Sequence, residues 1–295
     1  MNVFLKKIFA GALTLSTLFA VTACGGTGTD ASSETLSAAT SGETTVSETS
    51  ATGETVTLKV GASPTPHAEI LEAIKPVLAD QGIELKIVEY NDYVQPNMAL
   101  SGKDIDANYF QHEPYLLNFN EKNNTDLVNA GFIHYEPMGI YPGKSTSLTE
   151  IPDGAKIAIP ADGTNHARAL LLLEANGFFT LKEGLGLDAT SKDIAENPHN
   201  VQIVEVAAEQ VPATLPDVDF GVANGNFALG AGIADKALAS EDENSAALDF
   251  ANIIAVRAGD ETRPEIEKLV EALKSDTAKE FIQSKYGDTV KVYEG

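Results

Sequence analysis

The chain of 295 residues has one cysteine, no tryptophan and few basic side chains, with 20 lysines and arginines against 43 acids. A single cysteine cannot form an internal disulfide or a cysteine-rich zinc site, which excludes disulfide-stapled scaffolds and zinc-finger folds. The formal charge of −23 argues against a nucleic-acid partner, because phosphate binding draws on clustered lysine and arginine. With 43% hydrophobic residues, the chain nevertheless has enough apolar surface to fold around a core.

The amino terminus lacks a hydrophobic run long enough for a permanent membrane helix, which needs about 20 apolar residues. It has instead the three parts of a secretion signal: Lys6 and Lys7, an uncharged stretch at 8–21, and two small residues directly before Cys24. A small pair followed by cysteine resembles a bacterial lipobox, in which cleavage precedes the cysteine and its sulfur carries a diacylglycerol. We therefore expect a lipoprotein signal peptide at residues 1–23, with an ordinary signal and an incidental cysteine as the alternative.

Cys24 then becomes the acylated mature amino terminus and holds the protein on the extracytoplasmic face of the cell membrane, because two or three acyl chains anchor a soluble domain stably. Residues 25–56 are mostly Gly, Ser, Thr and Ala, with acids and no base. Such a composition cannot offset the entropy cost of ordering the chain. We therefore expect residues 24–56 to be the lipidated cysteine and a disordered tether, and the folded part to begin at Thr57.

From Thr57 onward, strand-like and helix-like patterns alternate. Residues 57–61 and 83–88 have the alternation of strands, and the stretch between them places apolar side chains at helical spacing and ends at Gly82. The same alternation of element types recurs as far as residue 273. It predicts an α/β fold in which helices cover mixed or parallel sheets.

Two extended segments look like crossings between lobes, at 136–144 and at 250–259. A chain that leaves one lobe, builds a second and returns has two hinge segments, an arrangement that suits closure on a small ligand. We therefore predict two α/β lobes joined by two hinge strands. In this prediction residues 57–140 and 255–295 form lobe 1, and residues 141–254 form lobe 2.

Three polar clusters lie where predicted strands end, at 106–115, 160–168 and 220–227. In open α/β sheets this edge binds ligands. The first cluster is aromatic, and core aromatics with a satisfied histidine are its alternative explanation. In the second, Asn165 and Arg168 share one face of a helix start, where backbone N–H groups and a guanidinium together form a carboxylate site. A helix cap with a solvated arginine explains these two residues equally well.

Five stretches in a fixed order give the sequence a specific family resemblance. They are 61–67 (GASPTPH), 92–97 (DYVQPN), 106–112 (DANYFQH), Thr164 and Asn165 with Arg168, and 224–228 (NGNFA). Together they resemble the methionine-binding lipoprotein family of the NlpA type, the substrate-binding components of bacterial methionine ABC importers. The resemblance spans residues 57–295 and includes the lipobox.

The resemblance implies a two-lobed periplasmic-binding-protein fold of type II, which traps methionine between its lobes and delivers it to an importer permease and its ATPase. It implies neither an enzymatic activity nor a cofactor. Arg168 and Asn165 would hold the ligand carboxylate, and Asn224 would help to fix the amino end. The side-chain pocket would be lined by Tyr93, Tyr109, Phe110, His112 and Tyr115.

The chain departs from the family pattern at 161–163 (ADG), at Ala167 before the arginine, and at Phe227, where tyrosine is usual. These departures leave D-methionine, a methionyl dipeptide or another apolar amino acid open as ligands. An enzyme is not indicated, since no Gly-x-Ser-x-Gly nucleophile motif occurs. A metal-binding lipoprotein is a further alternative, but the five histidines are scattered and lack short His–His spacing, so no metal is expected.

Overall fold

The structure is a computed structural model, and it describes residues 55–241 and 249–294. The predicted signal peptide, the predicted lipidation site Cys24 and nearly all of the predicted tether lie outside the described residues. Within the described part, no helix combines the length and the hydrophobicity that crossing a bilayer requires.

Strands and helices alternate along the described chain, as the sequence patterns predict. The strands are β1 (Val56–Ala62), β2 (Ile83–Glu89), β3 (Ala107–His112), β4 (Leu127–Tyr135), β5 (Gly139–Pro142), β6 (Lys156–Pro160), β7 (Thr180–Leu181), β8 (Ile194–Glu196), β9 (Gln202–Val206), β10 (Phe220–Ala223), β11 (Ala239–Ser240), β12 (Asn252–Arg257) and β13 (Lys291–Val292). The α-helices that lie wholly within the described residues are α1 (Glu69–Ala79), α2 (Gln95–Ser101), α3 (Glu113–Asn123), α4 (Gly163–Ala175), α5 (Val211–Thr214), α6 (Gly225–Gly230), α7 (Pro264–Leu273) and α8 (Asp276–Tyr286).

The first sheet has six strands in the order β13-β4-β12-β3-β1-β2. β1 pairs in parallel with β2 and β3, whereas β12 runs antiparallel to both β3 and β4. Helices α1, α7 and α8 pack against one another beside this sheet and share one hydrophobic core with it, which includes Leu58, Val60, Ile70 and Ile74. The core residues of α1 recur at helical spacing, which is why this segment forms a helix with one buried face.

The second sheet has five strands in the order β11-β5-β10-β6-β9. β6 is parallel to β9 and β10, while β5 runs antiparallel to β10 and β11. One core, which includes Leu170 of α4 and Phe220, packs against this sheet, and a second core includes Val211 of α5. β10 is buried at every position, as expected of an apolar strand that is covered by helices on both faces.

The chain passes from the first sheet to the second between β4 and β5, at residues 136–138, and the described residues between β11 and β12, where it is back in the first sheet, are 241 and 249–251. We call these segments the first and second crossing, and we call the two sheets with their helices lobe 1 and lobe 2. Two sheets joined by two segments of chain confirm the predicted two-lobed α/β fold.

Three strands lead directly into the helices that carry the polar clusters. β3 ends at His112, whose Nδ1 caps α3 by accepting a hydrogen bond from the backbone N–H of Tyr115 (3.1 Å). β6 leads into α4, where the Asp162 carboxylate caps the helix by accepting from the backbone N–H of Asn165 (3.1 Å). β10 leads into α6 through Asn224. Because a cap fixes where a helix begins, it also fixes the direction of the side chains in the first turn.

Candidate ligand-binding site

A cavity lies between the lobes, and side chains from both lobes line it. Lobe 1 contributes rings and amides, lobe 2 contributes amides and one arginine, and the first crossing contributes an acid. The lining residues are Tyr93, Phe110, Gln111, His112, Tyr115, Glu136, Asn165, Arg168, Asn224, Gly225, Asn226 and Asn252. The structure therefore brings together all the predicted ligand contacts except Tyr109.

The lobe 1 side of the cavity is an aromatic wall formed by Tyr93, Phe110 and Tyr115. The ring centre of Tyr93 lies 5.7 Å from those of both Phe110 and Tyr115. The Tyr115 hydroxyl donates a hydrogen bond to the backbone carbonyl of Tyr93 (2.8 Å), which fixes these two rings relative to each other. Burial raises the pKa of the Tyr93 phenol well above its usual value, so the wall stays uncharged. It offers polarisable apolar faces, which suit an apolar or thioether side chain.

A chain of hydrogen bonds joins the aromatic wall to lobe 2. His112 donates from Nε2 to Oδ1 of Asn165 (3.2 Å), because its Nδ1 already accepts from the N–H of Tyr115. Asn224 donates to the same Oδ1 (2.9 Å), and Nδ2 of Asn165 donates to the Asp162 carboxylate (2.9 Å). Burial lowers the pKa of His112 to about 3, so the imidazole is neutral at pH 7 and this donor pattern holds. The amide of Asn165 is thus occupied by protein partners and orients its neighbours.

Arg168 is the basic side chain of the cavity and is only 4% exposed. Its Nε and Nη2 donate to the two carboxylate oxygens of Glu241, each at 2.5 Å, in a bidentate pair. Nη2 also donates to the backbone carbonyl of Glu136 (3.2 Å), and the guanidinium lies 4.2 Å from the ring centre of Phe250. Burial alone would lower the pKa of Arg168, but the Glu241 carboxylate outweighs burial and holds that pKa above its usual value. The guanidinium therefore stays charged in a fixed orientation.

Glu241, which the sequence analysis does not single out, ties Arg168 to both crossings. Its Oε2 also accepts hydrogen bonds from the hydroxyl of Tyr135 (3.0 Å) and from the backbone N–H of Met138 (2.8 Å). Tyr135 is the last residue of β4 and Met138 lies in the first crossing, whereas Glu241 begins the second. A ligand that contacts Arg168 therefore contacts a group that is bonded to both connections between the lobes.

A second buried cluster adjoins the cavity at Glu136. Oε1 of Glu136 lies 2.7 Å from Nε2 of His134 and 3.3 Å from Nε2 of His67, and that nitrogen of His67 lies 3.0 Å from Oδ1 of Asn252. Burial lowers the pKa of His67 to about 4 and that of His134 to about 3, so both imidazoles are neutral at pH 7. Ligand atoms of the two histidines and the acid lie within 4.8 Å of one another, a spacing that also admits a divalent metal.

Tyr109 is the predicted ligand contact that the structure places away from the cavity. Phe110, Gln111 and His112 of β3 line the cavity, whereas Tyr109 packs in the core of lobe 1, next to a register shift between β3 and β12. There the Tyr109 ring packs edge-on against His67, with ring centres 4.7 Å apart, and its hydroxyl forms a hydrogen bond with Nδ1 of His134. Tyr109 thus supports the Glu136 cluster from behind.

Five lining residues have no role assigned by the sequence: Gln111, Glu136, Gly225, Asn226 and Asn252. At Gly225 a Cβ would lie 2.7 Å from Cβ of Glu136, so glycine is needed for α6 to approach the first crossing. Asn226 contacts lobe 1 directly, because it accepts a hydrogen bond from the Tyr93 hydroxyl at 2.5 Å. The stretch 224–228 contains the signal for Asn226, whereas Asn252 is the first residue of the apolar strand β12 and belongs to no motif.

Two α/β lobes joined by two crossings, with a cavity of charged, amide and aromatic side chains between them, define a substrate-binding protein of the two-lobed class. The model of the NlpA lipoprotein family matches residues 58–293, nearly all of the described chain. The chain belongs to the NlpA lipoprotein family, which confirms the family resemblance carried by the sequence motifs.

Individual relatives agree with this assignment. The methionine-binding lipoprotein MetQ of Bacillus subtilis (strain 168) is 38% identical over 291 residues, which cover 97% of this chain and 98% of that protein. An ABC transporter periplasmic substrate-binding protein from Coxiella burnetii has a TM-score of 0.76 at 39% identity, over 80% of this chain and 100% of that chain. A nutrient-binding protein from Burkholderia cenocepacia, solved bound to methionine, has a TM-score of 0.76 at 42% identity, over 80% of this chain and 99% of that chain.

Proposed function

We propose that this protein captures methionine in the cavity between its lobes and delivers it to an ABC importer. The observation that carries the proposal is the position of one buried arginine, Arg168, in the same cavity as the aromatic wall of lobe 1. A free amino acid has the matching groups, since its carboxylate fits a guanidinium and its tail fits the rings. The relatives that are named for methionine or solved with it support methionine as the amino acid.

Each predicted site residue has a role in this proposal. Arg168 binds the ligand carboxylate with the guanidinium that its acidic partner orients. Asn165 holds that end of the cavity in place, and Asn224 contacts the amino end. A thioether sulfur gains about 0.3 to 1.5 kcal/mol from each aromatic contact, which favours methionine over an aliphatic tail of the same length. The tail is enclosed by Tyr93, Phe110, His112 and Tyr115, with Tyr109 behind them.

The ligand is bound and released unchanged in this proposal. The described lining residues include no serine, threonine, cysteine or lysine. Membership of a lipoprotein family with substrate-binding relatives supports binding as the activity.

The division of the chain into lobes at 57–140 with 255–295, and at 141–254, is part of the proposal. The sheets support it to within one strand at each limit, because β5 lies across the first limit and β12 across the second. Closure of these two lobes on the ligand would present one bound amino acid to the permease and its ATPase.

A lipid anchor at Cys24 would hold the protein on the extracytoplasmic face of the cell membrane, close to the importer. Family membership supports the anchor. Cys24→Ser should move the protein from the membrane fraction to the soluble fraction while methionine affinity stays unchanged. A variant that remains in the membrane fraction would count against acylation.

Calorimetric titration of the purified protein, with bound ligand first removed by unfolding and refolding, tests the proposed function. L-methionine should give saturable heat at one site. Arg168→Lys should weaken binding, because a lysine cannot form the bidentate pair with Glu241 that orients the charge, whereas Arg263→Lys on the lobe 1 surface should not. A stronger response to D-methionine or to a methionyl dipeptide would change the substrate, heat with zinc alone would favour the metal-binding alternative, and no heat with any amino acid would contradict the proposal.

A further inference from the structure

We propose that the carboxylate of Glu136 binds the ammonium group of the ligand, so that the cavity selects compounds with a free, charged amino group. The inference rests on the proposed function, because it assigns a partner to the second charged end of the same amino acid. The inference narrows the substrate class to zwitterionic α-amino acids. Hydroxy, keto and N-acyl analogues, which lack a charged amino group, are excluded from this class.

The charges at the cavity do not cancel within the protein. Among the described lining residues, Arg168 is the cation and Glu136 the acid. Arg168 is already matched by Glu241, which takes two of its donors at 2.5 Å. Glu136 is paired with imidazoles alone, and no lysine or arginine in the described ranges lies within ion-pair distance of it. A buried carboxylate without an adjacent cation is costly, and a ligand ammonium beside Glu136 would provide that cation, while the more distant charge of Arg168 acts on Glu136 in the same direction.

Hydrogen bonds hold the Glu136 carboxylate in one orientation. His134 lies 2.7 Å from Oε1 through Nε2, and a neutral imidazole that donates there must accept at Nδ1, where the Tyr109 hydroxyl provides the proton. Nε2 of His67 lies 3.3 Å from Oε1 but forms its hydrogen bond with Oδ1 of Asn252, and the backbone N–H of Asn226 donates to the Glu136 carboxylate. Burial raises the pKa of Glu136, and these donors work against that rise by stabilising the ionised form.

The same hydrogen bonds disfavour a metal ion as the occupant. His134 carries its proton on Nε2 in order to bond to Glu136, so this nitrogen has no lone pair for a metal. An ammonium group, in contrast to a metal ion, needs only hydrogen-bond acceptors around it. Asn224 provides a further acceptor, because its Oδ1 is buried at the cavity and has no hydrogen-bond partner among the described residues.

The two charged residues line the same cavity. Nη2 of Arg168 donates to the backbone carbonyl of Glu136 (3.2 Å), so the two residues are neighbours in the cavity wall. An α-amino acid has its carboxylate and its ammonium on neighbouring atoms. One ligand can therefore reach both groups while its tail extends toward the aromatic wall.

The test compares L-methionine with 2-hydroxy-4-(methylsulfanyl)butanoate, in which a neutral hydroxyl replaces the ammonium group. Both are titrated into the full-length protein, into Glu136→Gln and into Glu209→Gln, a matched control because Glu209 lines a neighbouring open pocket. The wild type and the control should bind methionine about 100-fold more tightly than the hydroxy compound. In Glu136→Gln, methionine affinity should fall roughly ten- to a hundredfold while affinity for the hydroxy compound changes by less than about threefold.

Equal binding of the two compounds by the wild type would overturn the role of Glu136 and leave the proposed function intact. Equal losses for both compounds in Glu136→Gln would also overturn it, because a purely structural role weakens both. Binding of neither compound by the wild type would contradict the proposed function itself. If Glu136→Gln fails to fold, the wild-type comparison still decides, and Tyr109→Phe, which removes only the distant hydroxyl, should reduce the preference for methionine.

Discussion

The two walls of the cavity are built from different chemistry. Lobe 1 presents the rings of Tyr93, Phe110 and Tyr115, which are fixed by ring packing and by one hydrogen bond between them. Lobe 2 presents amides and the guanidinium of Arg168, which is fixed by its bidentate pair with Glu241. Neither wall alone matches an amino acid with a charged end and an apolar tail. Recognition therefore depends on both lobes meeting around the ligand.

Lowering the pH should have the largest effect on folding stability, and this effect should originate in lobe 1. Three buried histidines belong to that lobe: His67, His112 and His134. Burial lowers the pKa of His67 to about 4, and those of His112 and His134 to about 3, against 6.5 for an unburied imidazole. Below pH 6.5 the unfolded chain binds more protons than the folded one, so stability present above pH 6.5 is lost as the pH falls toward 4. At about 1.4 kcal/mol per proton and pH unit, the slope is at most about 4 kcal/mol per unit.

Buried acids reduce this slope, because burial raises the pKa of both Glu136 and Asp162 and a raised acid pKa acts in the opposite direction. Urea unfolding at pH 7 and pH 5.5 measures the net effect. His112→Gln should reduce the slope by up to about 1.4 kcal/mol per pH unit, since one of the three histidine protons no longer contributes. The same slope in this variant and in the wild type would show that His112 is not buried neutral.

Arg168→Ala should have the next largest effect on stability. This change acts on the lobe 2 wall alone. The change leaves the Glu241 carboxylate, 8% exposed, without its cation, which costs about 3 to 5 kcal/mol of unfolding free energy. Methionine affinity should fall as well, because the ligand carboxylate loses its partner. Denaturant unfolding and calorimetry measure the two effects separately.

The double variant Arg168→Ala with Glu241→Ala is the control for that prediction. It removes both charges, so most of the lost stability should return while methionine affinity stays low. A single variant as stable as the wild type would contradict the buried pair. Recovery of affinity in the double variant would remove Arg168 from the binding site.

Tyr93→Phe should weaken the contact between the walls with a smaller effect. The Tyr93 hydroxyl donates to Oδ1 of Asn226 in lobe 2 at 2.5 Å, and Tyr93 also packs against Phe227 with ring centres 4.8 Å apart. Loss of one such hydrogen bond costs about 0.5 to 1.5 kcal/mol, a roughly two- to tenfold loss of methionine affinity. Tyr90→Phe removes a lobe 1 hydroxyl outside the cavity and should leave affinity unchanged. Equal affinities in both variants would rule out a role for this contact in closure.

Phe110→Leu should have the smallest effect, and it sharpens the role of the lobe 1 wall. Leucine keeps the site apolar but removes a ring that a thioether sulfur would contact, worth about 0.3 to 1.5 kcal/mol. Affinity for methionine should therefore fall more than affinity for norleucine, which has a methylene in place of the sulfur. Equal losses for the two ligands in calorimetry would mean that the wall recognises only size.

The sequence reveals the strand ends better than it reveals the partners of the charged groups. Local patterns place His112, Asn165 and Asn224 at strand-to-helix junctions, and the structure has a helix beginning beside each of them. Glu136 and Glu241 have no such pattern, because they lie in the crossings among 43 acids. Their pairing with distant residues depends on how the two sheets approach each other, which no local pattern encodes.

Tyr109 shows a different limit of sequence analysis. Its motif groups it with Phe110 and His112, but Tyr109 packs in the core of lobe 1 while Phe110, Gln111 and His112 line the cavity. The family motif therefore marks two sites at once: the cavity and the support of Glu136 behind it. Which residues of this motif reach the cavity depends on the local course of β3, whose pairing with β12 shifts register here.

In the proposed complex, lobe 1 holds the tail of the ligand and lobe 2 its carboxylate. Crystals grown with L-selenomethionine, measured at the selenium edge, locate the tail directly through its anomalous signal. We predict a selenium peak in the cavity about 5 Å from the rings of Phe110 and Tyr93, with the ligand carboxylate on Arg168. A selenium peak beside Arg168 with the carboxylate turned toward the rings, or ligand bound only outside the cavity, would contradict it.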